Sequence, residues 1–202
     1  MFRWLLILST VLSMELYAEK TVLAFSGSTR EDSGNKKLAK EAAEMAKQLG
    51  ASVTIIDLRD YPMPFYDGDA EEKEGMPNKA KDFRELMEQS DVIIIASPEY
   101  NGSISGVLKN AIDWASRAER GGSSRSAFKG KKFILLSTSP GKGGGSRGIV
   151  HLRAIIENIG GEIVCQPVTV PSGGTAFDAQ GKLINPVTAT TIKQSVQQAL
   201  KE

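Results

Sequence analysis

Short apolar runs alternate with longer segments of mixed polarity along most of the chain. Within these runs, apolar residues follow one another rather than alternating with polar ones, which is typical of strands covered on both faces. The five predicted strands are Thr21–Phe25, Val53–Ile56, Val92–Ala96, Phe133–Leu136 and Ile163–Val170. A sheet of such strands needs helices on each side.

The segments between the strands carry apolar residues at helical spacing, with charged residues on the opposite face. The five predicted helices are Lys36–Leu49, Asn78–Gln89, Gly106–Arg117, Ile149–Ile159 and Thr188–Lys201. Strands alternating with helices indicate βαβ units joined by right-handed crossovers. We therefore predict an α/β fold: a doubly wound sheet of five parallel strands in the order 2-1-3-4-5, with helices on both faces.

Two connections, Tyr61–Pro77 and Pro171–Pro186, are longer than the usual link between a strand and a helix. Long connections in compact domains are often functional or mobile. We expect these two to form the rims of a pocket.

The segment Ser26–Asn35, here called the first-strand loop, has the composition of a phosphate site. Its hydroxyl, guanidinium and amide donors are Ser28, Thr29, Arg30, Ser33 and Asn35. A phosphate needs convergent donors, a cation and preferably a helix N-terminus, and the first βα turn is where open α/β sheets hold phosphates. The alternative is a polar loop in which the serines only cap the helix and Arg30 is solvated.

The segment Ser97–Ser103, the third-strand loop, combines a proline, polar residues and a glycine. Its candidate ligand contacts are Pro98, Glu99, Tyr100, Asn101 and Gly102. Backbone N–H groups of such a turn can donate to the polar edge of a flat isoalloxazine ring, and Tyr100 can supply an aromatic wall. The alternative is an ordinary turn with a chance aromatic residue.

The segment Ser137–Gly148, the fourth-strand loop, is rich in glycine. We attribute the glycines to close approach of the backbone to a ligand or to a mobile flap rather than to packing; a flexible linker is the alternative. The spacing Gly143-x-Gly145-x-x-Gly148 matches a dinucleotide fingerprint, but it follows the fourth strand instead of the first and no acidic residue ends the next strand. A Rossmann-type NAD site is therefore disfavoured.

These three loops become informative together. In a sheet of order 2-1-3-4-5, the crevice at the reversal of strand order lies between strands 1 and 3, with strand 4 beside it. Loops that follow strands 1, 3 and 4 therefore line one contiguous edge of the sheet.

The motifs in these loops resemble those of the NADPH-dependent FMN reductase family, which includes azo, quinone and chromate reductases. The matching stretches are Gly27–Arg30 with Ser33–Asn35, and Pro98–Ser103 with Gly106–Trp114, and the resemblance extends from about Thr21 to the C-terminus. One departure is Ser105, which stands where proline is common and predicts a less rigid third-strand loop.

The resemblance implies a flavodoxin-like fold that binds FMN. It assigns the FMN phosphate to Ser28, Arg30, Ser33 and Asn35, and the isoalloxazine to the third-strand loop residues named above. In the fourth-strand loop it implies contacts from Ser137, Gly141 and Gly143.

The implied activity is passage of hydride from NAD(P)H to the flavin, then of electrons to a small acceptor: a quinone, an azo compound, a metal oxyanion or free flavin. The cofactor carries this chemistry, so we predict neither a catalytic side chain nor a metal site. Two other functions stay open: an electron-transfer protein that uses no nicotinamide substrate, and a flavin-free binding protein.

Bulk properties narrow the partners. The chain has 202 residues and a formal net charge of +1, which gives no field suited to nucleic acid or to a membrane surface. We therefore expect a small-molecule partner, no nucleic acid and no stable membrane partner. A homodimer or a homotetramer is expected from the resemblance.

Three isolated features lie outside these loops. His151, the only histidine, is predicted to lie on a helix surface, and the single cysteine, Cys165, is predicted to be a buried filler of the fifth strand. Asp113-Trp114 fits subunit packing and core packing equally well.

The first 18 residues stand apart from the rest. Arg3 precedes the apolar run Trp4–Leu12, which has the length of a signal-peptide core, and Ala18 suits the position before a cleavage site. We expect residues 1–18 to be a signal peptide or another N-terminal extension, and residues 20–202 to form one domain. A signal peptide would place the protein outside the cytoplasm, whereas the family resemblance favours the cytoplasm.

Overall fold

A computed structural model of the protein describes residues 19–119, 122 and 124–201, and the signal-peptide prediction for residues 1–18 lies outside them. Its strands are β1 Thr21–Ser26, β2 Ser52–Asp57, β3 Val92–Ala96, β4 Lys132–Thr138, β5 Glu162–Ile163 and β6 Val168–Val170. Its α-helices are α1 Gly34–Gln48, α2 Gly68–Glu74, α3 Asn78–Glu88, α4 Gly106–Ala115, α5 Ser146–Asn158 and α6 Pro186–Lys201.

All strand pairs are parallel, and the order β2-β1-β3-β4-β5 is the predicted one. Val22 pairs with Val53 on one side and Val92 on the other, so the first strand lies in the interior of the sheet. The predicted fold class is confirmed.

The sheet separates two hydrophobic cores. Side chains of a strand alternate between its faces, so Leu23 and Phe25 enter the core beneath α3, α4 and α5. Val22 and Ala24 enter the opposite core beneath α1 and α6. Both faces are therefore covered by helices, which explains the continuous apolar runs.

The predicted fifth strand, Ile163–Val170, is wrong as one continuous strand. Instead, β5 pairs with the beginning of β4 and β6 with its end. Pro167, just before β6, has no N–H to donate to a ladder and is tolerated where a sheet position is interrupted. Cys165 lies in this interruption and is only partly buried.

The two long connections contain local structure that the sequence pattern did not predict. The first includes the short helix α2, which begins after Asp67; the Asp67 carboxylate accepts hydrogen bonds from two backbone amides of the first turn. The second includes an antiparallel bridge between Phe177 and Leu183. Among the described residues, no helix is both long enough and apolar enough to cross a membrane.

Candidate active site

A cleft of about 250 Å³ opens at the carboxyl ends of β1, β3 and β4. It is lined by Ser28, Arg30, Asp32, Ser33, Gly34, Asn35, Lys37, Pro98, Glu99, Tyr100, Thr138, Ser139, Pro140, Gly173 and Gly174. The predicted first- and third-strand loops therefore do meet in one crevice. The second long connection forms part of its rim through Gly173 and Gly174, as expected.

The first-strand loop is held in a tight turn by its own serines. The Ser28 N–H donates to Ser26 Oγ over 3.1 Å, and the Arg30 N–H donates to Ser28 Oγ over 3.3 Å. Ser28 is buried by this turn, whereas Arg30 is exposed. The guanidinium thus stands at the mouth of the cleft while the loop backbone is fixed beneath it.

Ser33 occupies the N-cap position of α1 but its side chain makes no capping hydrogen bond. Ser33 is nevertheless a buried residue that lines the cleft. The first turn of any α-helix leaves backbone amides without intrahelical partners, and its end carries partial positive charge. Here the uncapped turn and the Ser33 hydroxyl face the same space, which argues against the alternative that the serine merely caps the helix.

Asn35 has a different role from that expected. Its Nδ2 donates to the Thr138 carbonyl over 2.9 Å, and its Oδ1 accepts from the Thr138 N–H over 2.9 Å. This paired bond ties the start of α1 to the end of β4. The Asn35 side chain consequently fixes two walls of the cleft relative to each other.

Of the two cations at the mouth of the cleft, one is paired with a carboxylate and the other is not. Lys37 forms an ion pair with Asp32 at 2.6 Å, and its hydrogen bond holds the pKa of the Asp32 carboxyl below its usual range. Within the described part of the chain, Arg30 has no such carboxylate partner. Arg30 is therefore the cation best placed to meet an anionic ligand.

The opposite wall is built by the third-strand loop. Pro98 is buried, while Tyr100 is 48% exposed and borders the cleft. Tyr100 and Ser103 exchange backbone hydrogen bonds around Asn101 and Gly102, both of which have positive φ. An Asn-Gly pair with positive φ at both positions is typical of a type I′ hairpin turn. Asn101 and Gly102 shape this turn and do not line the cleft.

Ser105 connects the segment after the third-strand loop to two other parts of the fold. Its buried hydroxyl donates to the Gly27 carbonyl over 2.5 Å and accepts from the Leu108 N–H over 3.2 Å. The first bond connects the third-strand loop to the first-strand loop, and the second caps α4. The serine side chain supplies a link that proline lacks, and the prediction that a serine here leaves the loop less rigid stays a prediction.

The glycines of the fourth-strand loop are largely explained by packing, contrary to the sequence-based interpretation. Gly145 has φ +90°, and a Cβ there would lie 1.9 Å from Ser137 Oγ; a Cβ on Gly144 would lie 2.8 Å from the Val170 carbonyl carbon. The Ser137 hydroxyl is itself buried and donates to the Ser97 carbonyl over 2.7 Å. Of the predicted contacts here, Ser137 supports the wall from behind, and Gly141 and Gly143 lie away from the cleft lining.

Thr29 turns away from this cleft toward a second one of about 460 Å³. The second cleft is lined by residues of the first long connection, including Tyr61 and Met63, together with Arg59 and Asn110. The two clefts share the first-strand loop as a dividing wall. The first long connection is therefore a rim of the second cleft.

Several lining residues were missed by sequence reasoning. Thr138, Ser139 and Pro140 belong to the fourth-strand loop, whose glycines attracted attention instead. Gly173 approaches closely: a Cβ there would lie 2.6 Å from Thr138 Oγ1. Its position after the last strand was the available signal, since ligand crevices lie at the carboxyl ends of strands.

His151 is exposed on α5, as predicted, with Nδ1 3.0 Å from Ser103 Oγ. Burial raises the pKa of the Cys165 thiol, which disfavours a reactive thiolate. Trp114 is buried with Met76 and Ala80, which is core packing.

A parallel sheet of order 2-1-3-4-5 with an anion-suited first turn and an aromatic wall at its carboxyl edge defines a flavodoxin-like, flavin-binding class of protein. Comparison with known proteins identifies the family within this class. Residues 21–177 match the family model described as NADPH-dependent FMN reductase, and the chain belongs to that family.

Curated relatives agree with the assignment. An NAD(P)H-dependent FMN reductase of Pseudomonas aeruginosa is 36% identical over 177 residues, covering 87% of this chain and 91% of the relative. A quinone reductase of Escherichia coli is 33% identical over 149 residues, covering 72% and 74%. The expected family and enzyme class are confirmed.

A solved structure supports the same conclusion. The flavoenzyme NAD(P)H:acceptor oxidoreductase FerB of Paracoccus denitrificans has a TM-score of 0.75 and 29% identity, covering 90% of this chain and 96% of FerB. A flavodoxin of Streptococcus pneumoniae, at 12% identity and a TM-score of 0.57, shares the fold.

Proposed function

We propose that the protein binds FMN in the 250 Å³ cleft and uses it to pass electrons from NAD(P)H to a quinone-type acceptor. The observation that carries the proposal is the convergence of Ser28, Arg30 and Ser33 at the uncapped start of α1, opposite Pro98 and Tyr100. One side supplies donors and positive charge for a phosphate, and the other supplies a flat, partly aromatic wall.

The donor set fits the phosphate of FMN. Backbone amides at a helix N-terminus, a hydroxyl and one cation form a site for a terminal phosphate. Arg30 and Ser33 would hold that phosphate, while Asn35 keeps the site in shape through Thr138. No second nucleotide site is evident among the described residues, so FMN is favoured over FAD.

The protein's own contribution is binding and orientation. Bound FMN would supply the redox chemistry, taking hydride from the nicotinamide and returning electrons to the acceptor. The third-strand loop would orient the ring through its backbone and through Tyr100. Since Tyr100 is 48% exposed, that wall is open to solvent, which suits successive binding of two small substrates.

The test is a visible spectrum of the purified protein after incubation with FMN, with and without NADPH. We expect bound flavin to bleach on addition of NADPH and to recover on addition of a benzoquinone. Chromatography of the released cofactor should identify FMN, and stoichiometric FAD would contradict the proposal. A flavin that NADPH cannot reduce would favour the electron-transfer alternative, and failure to bind any flavin would favour the binding protein.

A small homo-oligomer, a dimer or a tetramer, forms part of the proposal. Phe65 is 84% exposed, yet its neighbours are fixed: the Pro64 carbonyl accepts from Trp114 Nε1 over 2.8 Å and from Asn110 Nδ2 over 2.9 Å. An exposed phenylalanine on a hydrogen-bonded segment of backbone is the candidate contact for such an interface. Light scattering during gel filtration gives the mass, and Phe65→Ser should shift it toward the monomer.

Localisation depends on residues 1–18. Export follows if Trp4–Leu12 is a signal-peptide core cleaved after Ala18, and the cytoplasm follows if the segment is not a targeting signal. N-terminal sequencing from the native host decides between them. A mature chain beginning at Glu19 supports export, and a full-length chain in the cytoplasmic fraction supports the alternative.

A further inference from the structure

Helix α5 begins without a cap of its own. Its N-cap residue is Gly145, which has no side chain to accept a hydrogen bond, and the second helical residue is the cation Arg147. A positive charge in the first turn is unfavourable beside the positive end of the helix dipole. The start of α5 therefore needs an acceptor and a negative charge from elsewhere in the fold.

Glu99 of the third-strand loop supplies both. Its Oε2 accepts from the backbone N–H groups of Arg147 at 3.0 Å and Gly148 at 3.2 Å. Those are the amides that an N-cap side chain normally serves. Its Oε1 accepts from the Arg147 guanidinium through Nε at 2.8 Å and Nη2 at 2.5 Å.

The surrounding contacts leave little freedom between the loop and the helix. A Cβ on Gly148 would lie 3.0 Å from the Ser103 carbonyl oxygen and 3.3 Å from Glu99 Cβ. The Glu99 side chain is 10% exposed, whereas that of Arg147 is 79% exposed. The Glu99 carboxylate thus lies between the third-strand loop and the start of α5, and the Arg147 side chain covers it on the solvent side.

We propose that Glu99 is a positioning residue, which clamps the third-strand loop to the start of α5 and thereby fixes the wall formed by Pro98 and Tyr100. This inference rests on the proposed flavin function, and it gives the Glu99 side chain a role apart from the isoalloxazine contact expected of Glu99. With four hydrogen bonds to α5, the carboxylate is committed to the helix. What the loop offers the cleft is its backbone and its two flanking side chains.

The test compares FMN affinity, by fluorescence titration of the full chain, among graded variants. Glu99→Gln retains an oxygen for the two amides and loses the charge, Arg147→Ala loses only the ion pair, and Glu99→Ala loses everything. We expect Kd to rise about tenfold or more in Glu99→Ala, on the scale of one lost charge-assisted bond. In the other two variants part of the contact remains, and Kd should rise by about three- to fivefold. The double variant Glu99→Ala/Arg147→Ala should match Glu99→Ala within about twofold, because both changes remove the same contact.

A matched control lies on the same helix. Arg153 and Glu157 form an ion pair at 2.8 Å, away from the cleft. Glu157→Gln should leave Kd within about twofold of wild type. A general loss of α5 stability would lower Tm in Arg147→Ala and in Glu157→Gln alike. Loss of the clamp should change FMN affinity in Arg147→Ala only.

Amide hydrogen exchange of the flavin-free protein provides a second readout. Glu99→Ala should speed exchange across residues 139–150, and Glu157→Gln should not. The clamp is refuted if Glu99→Ala leaves both exchange and Kd unchanged. It is also refuted if Arg147→Ala leaves Kd unchanged, or if the effects of the two substitutions add in the double variant, since a direct contact of Glu99 with flavin would not depend on Arg147. If wild type binds no FMN, the proposed function fails, and the exchange result still decides whether the clamp exists.

Discussion

The first-strand and third-strand loops face each other across the cleft and use their polar groups differently. In the first, Ser33 makes no capping bond and Arg30 has no carboxylate partner among the described residues, so both are available to a ligand. In the third, Glu99 is hydrogen-bonded to α5, and Ser105, just beyond the loop, is hydrogen-bonded to α4 and Gly27. The first-strand loop keeps polar groups available to a ligand, whereas the third-strand loop uses them to hold its own shape. The two loops have similar polar composition, so the sequence alone does not show this difference.

The largest effect is expected from breaking the support behind the third-strand loop. Gly145→Ala introduces a Cβ 1.9 Å from Ser137 Oγ at a φ of +90°, and it should destabilise the fold by about 3 kcal/mol through strain and overpacking. Urea unfolding measures this. Gly143→Ala is the control, because its Cβ would have 3.4 Å to its nearest neighbour, Ser146 Oγ; equal losses in the two variants would contradict the explanation.

Removing the free cation of the first-strand loop should affect binding without affecting stability. Arg30→Ala is expected to weaken FMN binding by about 1.5–3 kcal/mol, the scale of a charge-assisted hydrogen bond. Calorimetric titration measures the affinity. Lys37→Ala should have a smaller effect, since Lys37 is already paired with Asp32. An unchanged affinity in Arg30→Ala would show that the guanidinium is only solvated.

The link between the two loops should contribute less. Ser105→Ala removes the α4 cap and the bond to Gly27, and it should cost about 1 kcal/mol of stability. Ser105 has φ −68°, which proline can adopt, so Ser105→Pro should recover part of that loss by restricting the unfolded chain. Thermal unfolding of the three proteins checks the order, and a proline variant below the alanine variant would contradict it.

The smallest effect is expected on thermal stability when the pH is lowered. The Arg147 guanidinium holds the pKa of Glu99 below its ordinary value, and Lys37 does the same for Asp32. A carboxyl whose pKa is lower in the folded state stabilises the fold above the unfolded pKa of about 4.3, and this contribution is lost as pH falls through the folded pKa. The Tm advantage of wild type over Glu99→Gln should therefore shrink below about pH 4.3.

Asp32→Asn provides the comparison for the acid experiment. Asp32 is exposed, and water screens an exposed ion pair strongly. We expect Tm of this variant to follow wild type across the same pH range. A larger pH effect from Asp32 than from Glu99 would reverse the distinction between the two loops.

Much of the fold follows from the apolar pattern, because strands covered on both faces appear in the sequence as continuous apolar runs. The start of α5 was less predictable: the sequence suggested Ile149, whereas the helix begins at Ser146. Its cap comes from Glu99, almost fifty positions earlier, and no local signal records such a partner. The break at Pro167 has a signal in the sequence, because proline cannot donate to a ladder, but the apolar run from Ile163 to Val170 predicts one strand.

The candidate site shows the same limit. Residue types at strand ends located the cleft, since topology alone brings those ends together. They could not distinguish a ligand-facing polar group from one used internally, as Asn35 and Ser137 illustrate. Both bond to backbone groups of distant segments, and only the folded chain brings those groups within reach.

The interruption between β5 and β6 also bears on self-association. A long exposed strand at the edge of a sheet is a template for pairing with another chain, which leads to aggregation. Here that edge is divided into strands of two and three residues, with Pro167 between them. The other edge is β2, six continuous residues with Ile55 40% exposed. Unwanted β-sheet growth between molecules would therefore begin at β2, and a charged residue in place of Ile55 would be the substitution to improve solubility.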